Sequence, residues 1–326
     1  MADVNSASSS ESGILLVDKP DGLTSHDVVA RTRRMAGTRK VGHAGTLDPM
    51  ATGLLILGLN SSTRLLTYVV GLDKEYLATV RLGAGTTTDD AEGETSVTAP
   101  AGAVASLTAE AVAEAFAAQV GTITQVPSTV SAIKVDGQRA YARVRAGEEV
   151  VLAGRTVTIA EIELLGAPRP ALTESAEGTG ADVLDVDVRV VCSSGTYIRA
   201  IARDVGAALG VGGHLTALRR TRIGPFPVED APTLELLQAE TERGASLPLL
   251  PAAEVARALF PVQEVDREQA LALGHGQRIP LDRPDGGPIA AITADGRLLG
   301  LLEVRAGSAK SIVNFPPDEY QPGAPA

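Results

Sequence analysis

The chain has 326 residues, of which 44% are hydrophobic and 3% aromatic, and its formal net charge is −11. This length suggests roughly two domains. The single cysteine, Cys192, excludes an intramolecular disulfide framework, and the spacing of the four histidines is not typical of a zinc site. No apolar run approaches the roughly 20 residues that a membrane-spanning helix needs. We therefore expect a cytoplasmic protein without a metal or membrane partner.

The distribution of charge favours a nucleic-acid partner, although the negative net charge argues against one because a binder must neutralise phosphates. The basic residues group within residues 28–47, 134–145 and 199–222, and the acidic residues collect in residues 89–94, 161–187 and 229–242. A separate basic surface is typical of an RNA-binding protein. Ordinary charge scatter is the alternative.

In chain order, the Ser-rich, acidic residues 1–12 have no features of a signal peptide, and we interpret them as a disordered tail. Residues 14–17 form an apolar run that predicts a buried strand. A turn follows, and then a helix that Thr24 or Ser25 caps and that Gly37 ends. The outer face of this helix carries arginines.

Residues 42–53 predict a tight, irregular loop, because their sequence Gly-His-Ala-Gly-Thr-Leu-Asp-Pro-Met-Ala-Thr-Gly combines three glycines with a proline. One carboxylate, Asp48, lies within it, between a basic stretch and the apolar residues 54–57. An acid held against an apolar wall is typical of a functional site. An Asp-Pro turn, in which Asp48 caps the next backbone turn, is the alternative that local chemistry leaves open.

The remaining elements follow from periodicity. Alternation predicts strands at residues 74–82, 157–162 and 182–191, and helical spacing predicts helices at residues 63–70, 109–120, 140–146, 198–209, 234–243 and 252–259. The turn-rich residues 125–137 carry Lys134 and predict a mobile loop that contacts substrate. Residues 172–181 predict another loop. From about residue 262, short apolar pieces broken by glycines predict a small β-rich domain of roughly 60 residues.

Five separated motifs resemble those of the TruB-type tRNA pseudouridine synthases. They are Asp18-Lys19-Pro20 with Gly22, Thr24 and Ser25; the active-site motif at residues 42–55; Lys74-Glu75-Tyr76; Gly195-Thr196-Tyr197-Ile198-Arg199 with Asp204 and Gly206; and Leu218-Arg219-Arg220-Thr221. Their order and spacing over residues 14–228 make the resemblance specific, since one such motif alone could arise by chance.

The resemblance implies an α+β fold. Its pseudouridine-synthase core would have a mixed, largely antiparallel sheet with flanking helices, and a small C-terminal β-rich (PUA-like) domain would follow. The implied catalytic domain covers residues 13–250, with an RNA-contacting loop at about residues 124–152. The β-rich, RNA-binding-like domain covers residues 260–316, and residues 317–326 form a tail.

The implied reaction is the isomerisation of uridine-55 in the T-loop of tRNA to pseudouridine, with Asp48 as the catalytic aspartate acting on a flipped-out base. The resemblance gives substrate contacts to His43 in the space left by turned-out nucleotides, to Tyr76 on the base, to Tyr197 and Leu218 in the base pocket, and to Arg199 as the partner of Asp48. Lys19, Lys74 and Lys134 would have supporting roles.

The chemistry of this reaction requires no cofactor, because the N1–C1′ bond breaks, the base rotates and C5 bonds to C1′ without a redox change or a group donor. An ionised Asp48 could attack C1′ or assist deprotonation of the sugar, and the sequence leaves both open. Extruding the base costs a few kcal/mol, and stacking on Tyr76 can return about 1–3 kcal/mol. The T-arm stem-loop of tRNA is then the partner, and a monomer without a protein partner suffices.

Some positions depart from the family pattern. Met50 stands where leucine is usual, which is a volume-conserving change. In the loop motif at residues 125–132, Ser128 replaces a proline and Val130 an aromatic residue, which puts the RNA contact of that loop in question. Two other functions stay open: an RNA-binding module that helps tRNA to fold, with catalysis secondary, and a sister pseudouridine synthase that acts on rRNA.

Overall fold

The computed structural model describes residues 11–128, 134–135, 138–139, 153–172 and 182–316. Within these ranges the chain forms two compact units. The first takes the described residues of Met1–Pro49, Leu54–Val70 and Pro225–Ala326, and the second takes those of Met50–Gly53 and Gly71–Gly224. The domain limits expected from the family resemblance stay a prediction.

The strands are β1 Gly13–Lys19, β2 Val41–Ala44, β3 Thr52–Leu59, β4 Lys74–Leu82, β5 Ala84–Thr86, β6 Thr95–Thr98, β7 Gly121–Gln125, β8 Lys134–Val135, β9 Gln138–Arg139, β10 Arg155–Leu164, β11 Arg169–Leu172, β12 Asp182–Cys192, β13 Gly213–Ile223, β14 Phe226–Pro227, β15 Val262–Val265, β16 Ile279–Pro280, β17 Gly286–Thr293, β18 Leu298–Arg305 and β19 Ser308–Asn314.

The helices of the described ranges are α1 Ser25–Met35, α2 Leu66–Val70, α3 Ala109–Ala117, α4 Ile198–Ala208, α5 Leu234–Glu242, α6 Ala252–Leu259 and α7 Arg267–Gly274, with 3-10 helices at Asn60–Leu65 and Val228–Asp230. None of these helices is long and apolar enough to cross a membrane.

In the first unit, strand β1 pairs with β3, and β2 runs antiparallel to β3 with His43 opposite Leu57. The core joins Leu15 of β1 and Leu57 of β3 to Val28 of α1 and Leu234 of α5. Strands β1 and β3 are nearly continuous apolar runs that are buried on both faces, a pattern typical of strands covered by helices.

The last strands of the first unit form a separate small sheet in the order β15-β17-β18-β19-β16. Val265, Leu273 and Leu302 are among its core residues. The predicted β-rich C-terminal region is thereby confirmed. The sequence did not predict helix α7, which begins with a capping box between Asp266 and Gln269.

In the described part of the second unit, five strands form a sheet in the order β13-β4-β12-β10-β7, each antiparallel to its neighbour. Thr52 and Gly53 at the start of β3 pair in parallel with Arg219 and Arg220 of β13. The sheet is therefore mixed and largely antiparallel, which confirms the predicted fold class. The predicted strands at residues 74–82, 157–162 and 182–191 are confirmed as β4, β10 and β12.

Helix α4 packs against β4 and β13, and small residues permit a close approach where β13 begins. A Cβ atom at Gly206 of α4 would lie 2.2 Å from the carbonyl carbon of Gly212, and one at Gly213 would lie 2.3 Å from the carbonyl oxygen of Ala202. Any larger residue would push the helix off the sheet, so these glycines set the position of α4.

The structure corrects the prediction for residues 42–53, because only residues 45–51 are irregular. Residues 42–44 belong to β2 and residues 52–53 to β3. Glycine content does not distinguish a loop from a strand here, because Gly42 and Gly53 lie inside strands. The predicted helix at residues 140–146 lies outside the described residues, as do residues 173–181 of the predicted loop.

Gly53 gives a test of this arrangement. Its φ angle is +100°, and a Cβ atom there would lie 2.2 Å from the carbonyl oxygen of Arg220. We expect Gly53→Ala to lower the free energy of unfolding by roughly 2–5 kcal/mol, because the left-handed backbone costs about 1–2 kcal/mol and the overlap about 1–3 kcal/mol. Urea denaturation followed by circular dichroism measures this loss.

Gly102→Ala is the matched control, because Gly102 has a φ angle of +76° and no atom within 4 Å of the added Cβ. In this variant the free energy of unfolding should fall only by the cost of the left-handed backbone, about 1–2 kcal/mol. Equal losses in the two variants would contradict the close contact between β3 and β13.

Candidate active site

Asp48 lies in the first unit, on the irregular segment between β2 and β3, and its side chain is partly buried. The residue before it, Leu47, is held at both backbone groups by Ser25. The Leu47 amide donates to Ser25 Oγ at 2.9 Å, and Ser25 Oγ donates to the Leu47 carbonyl at 3.2 Å. Ser25 is fully buried at the start of α1, while Thr24 provides the helix cap. The alternative cap at Ser25 is therefore excluded.

The residue after Asp48 is held by a buried lysine. Lys19 has 0% relative exposure, and its Nζ atom donates to the carbonyl oxygens of Pro20 at 2.8 Å, Leu23 at 2.7 Å and Pro49 at 3.1 Å. An ammonium group has three protons, so these three acceptors match its donors. Asp48 is thus flanked by two backbone positions that the fold holds in place.

His43 lies on β2 in the first unit, opposite Leu57. Its ring makes an edge-to-face contact with His26 of α1, with centroids 5.4 Å apart and an interplanar angle of 76°. The strand and this contact define the orientation of the imidazole. Its predicted place among turned-out nucleotides stays a prediction.

In the second unit, the strand register brings Tyr76 and Leu218 to one face of the sheet. Tyr76 on β4 lies opposite Arg220 of β13, and Leu218 lies opposite Ala78, two residues along β4. Opposite residues of antiparallel strands share a face, and so do residues two apart. Tyr76 and Leu218 are each 7% exposed, which suits the wall of a base pocket.

Tyr197 is the N-cap residue of helix α4, but its side chain makes no capping hydrogen bond. Gln125 holds it instead: the Tyr197 amide donates to Gln125 Oε1 at 3.0 Å, and Gln125 Nε2 donates to the Tyr197 carbonyl at 3.3 Å. Gln125 is 1% exposed. The buried side-chain amide of Gln125 therefore fixes the backbone of Tyr197, from which α4 begins. Arg199 follows two residues later.

Arg199 is 5% exposed and pairs with Asp90. Its Nη1 atom lies 3.2 Å from Asp90 Oδ2 and donates to the Thr88 carbonyl at 2.9 Å. Asp90 is 2% exposed and also accepts from Thr88 Oγ1 at 2.5 Å and from the Glu92 amide at 3.1 Å. A buried charge needs such partners, because desolvation alone would cost several kcal/mol.

Sequence reasoning missed Asp90, which it counted only as part of an acidic stretch. The available signal was a carboxylate that follows the threonine-rich residues 86–88 and could be tied by their hydroxyls. The predicted pairing of Arg199 with Asp48 joins residues of different units and stays a prediction. For Lys134 the structure describes the backbone, in β8, and its supporting role also stays a prediction.

Lys74 lies on the same face of β4 as Tyr76, opposite Cys192 of β12. Burial, and after it the positive charge of Arg220, lower the pKa of the Lys74 ammonium group to about 8. Burial raises the pKa of the Cys192 thiol to about 11. Lys74 Nζ donates to the Leu72 carbonyl at 2.5 Å.

No group of three or more His, Cys, Asp or Glu side chains in the described ranges is placed to hold a metal ion. Chemically, the first unit offers a carboxylate between anchored neighbours and two histidines that contact each other, on β2 and α1. The second unit offers a buried tyrosine and leucine on one sheet face and a buried guanidinium at a helix start. Aromatic and basic groups of this kind suit a planar base attached to a phosphate backbone.

Comparison with known proteins identifies similar sequences along most of the chain. The model for the TruB family pseudouridylate synthase N-terminal domain matches residues 33–198, that for the tRNA pseudouridylate synthase B C-terminal domain matches residues 199–264, and that for the C-terminal part of tRNA pseudouridine synthase II matches residues 260–316.

Similar curated proteins are named tRNA pseudouridine synthase B. The one from Leifsonia xyli is 57% identical over 94% of this chain and 98% of its own length. The one from Thermobifida fusca is 52% identical over 93% of this chain and 97% of its own length.

Similar solved structures include a chain of a Cbf5-Nop10-Gar1 complex, with 26% identity and a TM-score of 0.64 over 93% of this chain and 83% of that chain. A chain of an H/ACA RNP bound to a substrate RNA containing 2′-deoxyuridine has 24% identity and a TM-score of 0.65, over 95% of this chain and 87% of that chain. At that identity the second likeness concerns the fold alone.

The pKa of Lys74 predicts how stability depends on pH. Between about pH 8 and the ordinary lysine value of 10.5, the unfolded chain binds a proton that the folded chain does not, so the contribution of Lys74 to the free energy of unfolding rises with pH. We expect the unfolding free energy to rise relative to that of Lys74→Met, by on the order of 1–3 kcal/mol over this range.

The contribution of Cys192 to the free energy of unfolding falls as the pH rises above about 9, because its raised pKa keeps the thiol protonated in the folded state. The comparison is therefore made in a Cys192→Ala background, by urea denaturation at several pH values. The two proteins compared are Cys192→Ala with Lys74 and Cys192→Ala with Lys74→Met. If their difference in unfolding free energy does not change from pH 8 to pH 10, the lowered pKa of Lys74 is contradicted.

Proposed function

Because the chain belongs to the TruB family of pseudouridylate synthases, we propose that it converts uridine-55 in the T-loop of tRNA to pseudouridine. The observation that carries this proposal is the 57% identity over nearly the whole chain to a protein named tRNA pseudouridine synthase B. The anchored Asp48 segment and the buried face that carries Tyr76 support it from the structure.

We propose that Asp48 is the catalytic aspartate. The reaction breaks the N1–C1′ bond and then forms the C5–C1′ bond after the base has rotated. A carboxylate that stays in place beside C1′ can act in both steps. Ser25 holds Leu47, and Lys19 holds Pro49, at the distances given above. Holding a reacting group in its productive geometry can supply several kcal/mol of the barrier reduction.

The other substrate contacts are part of the same proposal. Tyr76 would stack on the extruded base near its C5 proton, and Leu218, on the same sheet face, would pack beside it. Stacking of this kind contributes about 1–3 kcal/mol per base. Tyr197, Arg199 and His43 would contact the splayed T-loop, since RNA loops are recognised through unstacked bases.

The T-arm stem-loop is the proposed substrate, and a monomer would suffice for it because one stem-loop presents one target uridine. Lys134, within residues 124–152, would contact its phosphates. The proposed substrate places the enzyme in the cytoplasm, where tRNA is modified.

Asp48→Asn tests the catalytic role, because the amide keeps the shape of the carboxylate but can neither attack nor accept a proton. The substrate is an unmodified T-arm stem-loop with tritium at C5 of uridine, and tritium release reports loss of the C5 hydrogen. We expect Asp48→Asn to lower kcat by at least about 100-fold. Asp230→Asn, which removes an exposed carboxylate, should leave it unchanged.

Turnover by a well-folded Asp48→Asn protein would disprove the catalytic role. Asp48→Asn also tests the alternative of an RNA-folding function. If the variant accelerates tRNA refolding without turnover, the folding function is independent of catalysis. Tritium release from an rRNA transcript but not from the T-arm would instead identify an rRNA enzyme.

A further inference from the structure

Asp89, the neighbour of Asp90, has a backbone conformation that is unusual for its residue type. Its φ angle is +61°, in the left-handed region that favours glycine and is less unfavourable for aspartate and asparagine than for most other residues. Backbone hydrogen bonds maintain this conformation: the Asp89 carbonyl accepts from the Leu215 amide at 3.0 Å, and the Asp89 amide donates to the Thr86 carbonyl at 3.3 Å. Such strain persists only where surrounding contacts hold it.

The carboxylate of Asp89 is held from two other elements. Ser128, beyond the end of β7, donates from Oγ to Asp89 Oδ2 at 2.5 Å and is 2% exposed. Arg203 of α4 donates from Nη1 to the same oxygen at 3.2 Å and from Nη2 to the Val126 carbonyl at 2.9 Å. Arg203 Nε also pairs with Asp204 at 2.9 Å.

Helix α4 therefore forms ion pairs with two successive carboxylates of one turn. Arg199 pairs with Asp90 and Arg203 with Asp89, both at 3.2 Å. The two arginines are four residues apart and so share one side of the helix. Arg199 also donates to the carbonyl of Thr88, so three consecutive residues of the turn are tied to α4.

We propose that Asp89 is a positioning residue, held by Ser128 and Arg203, that sets the turn whose Thr88 carbonyl and Asp90 carboxylate orient Arg199. Without the contacts of the Asp89 carboxylate to Ser128 and Arg203, the turn would shift against α4. This shift would move the Thr88 carbonyl and the Asp90 carboxylate, two acceptors of the buried Arg199 guanidinium. The functional part of this inference rests on the proposed reaction, since Arg199 is a proposed substrate contact.

Two variants separate the carboxylate from the backbone conformation. Asp89→Gly keeps the left-handed conformation at lower strain but removes the contacts to Ser128 and Arg203, whereas Asp89→Asn tolerates the conformation and keeps an acceptor oxygen. On the tritiated T-arm stem-loop we expect Asp89→Gly to lower kcat by about 10- to 100-fold, with KM and unfolding temperature little changed. Asp89→Asn should retain most of kcat. Wild-type kcat in Asp89→Gly would overturn the proposal.

A second series leaves the Asp89 backbone intact. Ser128→Ala and Arg203→Gln should each lower kcat, and the double variant should lose less than the product of the two factors, because both act through one carboxylate. Arg243→Gln, which removes an arginine from an exposed pair with Glu240, is the control and should keep the wild-type rate. Multiplicative losses would overturn the proposal.

A readout without turnover distinguishes this inference from the proposed function. In NMR spectra of the intact protein, the guanidinium protons of Arg199 should exchange slowly with water in the wild type and faster in Asp89→Gly. Unchanged exchange would overturn the positioning role even in an active enzyme. An inactive wild type that shows the expected change would overturn only the proposed reaction.

Discussion

The buried ammonium group of Lys19 determines where the Asp48 segment can lie. A charged amine without water needs an acceptor for each proton, or burial would cost several kcal/mol. The acceptors are the carbonyl groups of Pro20, Leu23 and Pro49, none of which is used in a strand or helix. One side chain thus joins the turn after β1 to the residue after Asp48, where the Pro49 carbonyl also accepts from the Gly22 amide at 3.0 Å.

The second unit uses the same principle with a carboxylate in addition. Arg199 is buried, and its acceptors include the Thr88 carbonyl and Asp90. Lys74 of β4 is also buried, and burial together with the positive charge of Arg220 lowers its pKa to about 8.

How much the sequence predicted depended on the range of the interaction. The strand Lys74–Leu82 and the helix Ile198–Ala208 follow from local periodicity, and both were predicted to within a few residues. Strand β13 was not predicted, because its arginines and its bulges at Leu215/Ala217 and Arg220/Arg222 break the alternation. The family resemblance supplied the site residues, whereas local spacing alone left Asp48 as either a turn cap or a site.

Contacts between distant segments could not be predicted from spacing. Asp90 meets Arg199 across 109 residues of sequence, and no pattern in either segment points to the other. The same holds for Lys19 and Pro49, where the acceptor is a backbone carbonyl with no residue signature at all. Motifs indicated which residues matter, but the fold decides which groups hold them.

Ser128 shows how the structure changes the meaning of a departure from the family pattern. The sequence placed it in a loop expected to touch RNA, so its replacement of a proline put that contact in question. Its side chain is instead 2% exposed and bonded to Asp89, so it is not presented to a ligand. Proline has no hydroxyl to donate, so a chain with proline here would need another way to hold residue 89. The departure at Ser128 therefore concerns the turn that holds Arg199, whereas Val130 lies outside the described residues.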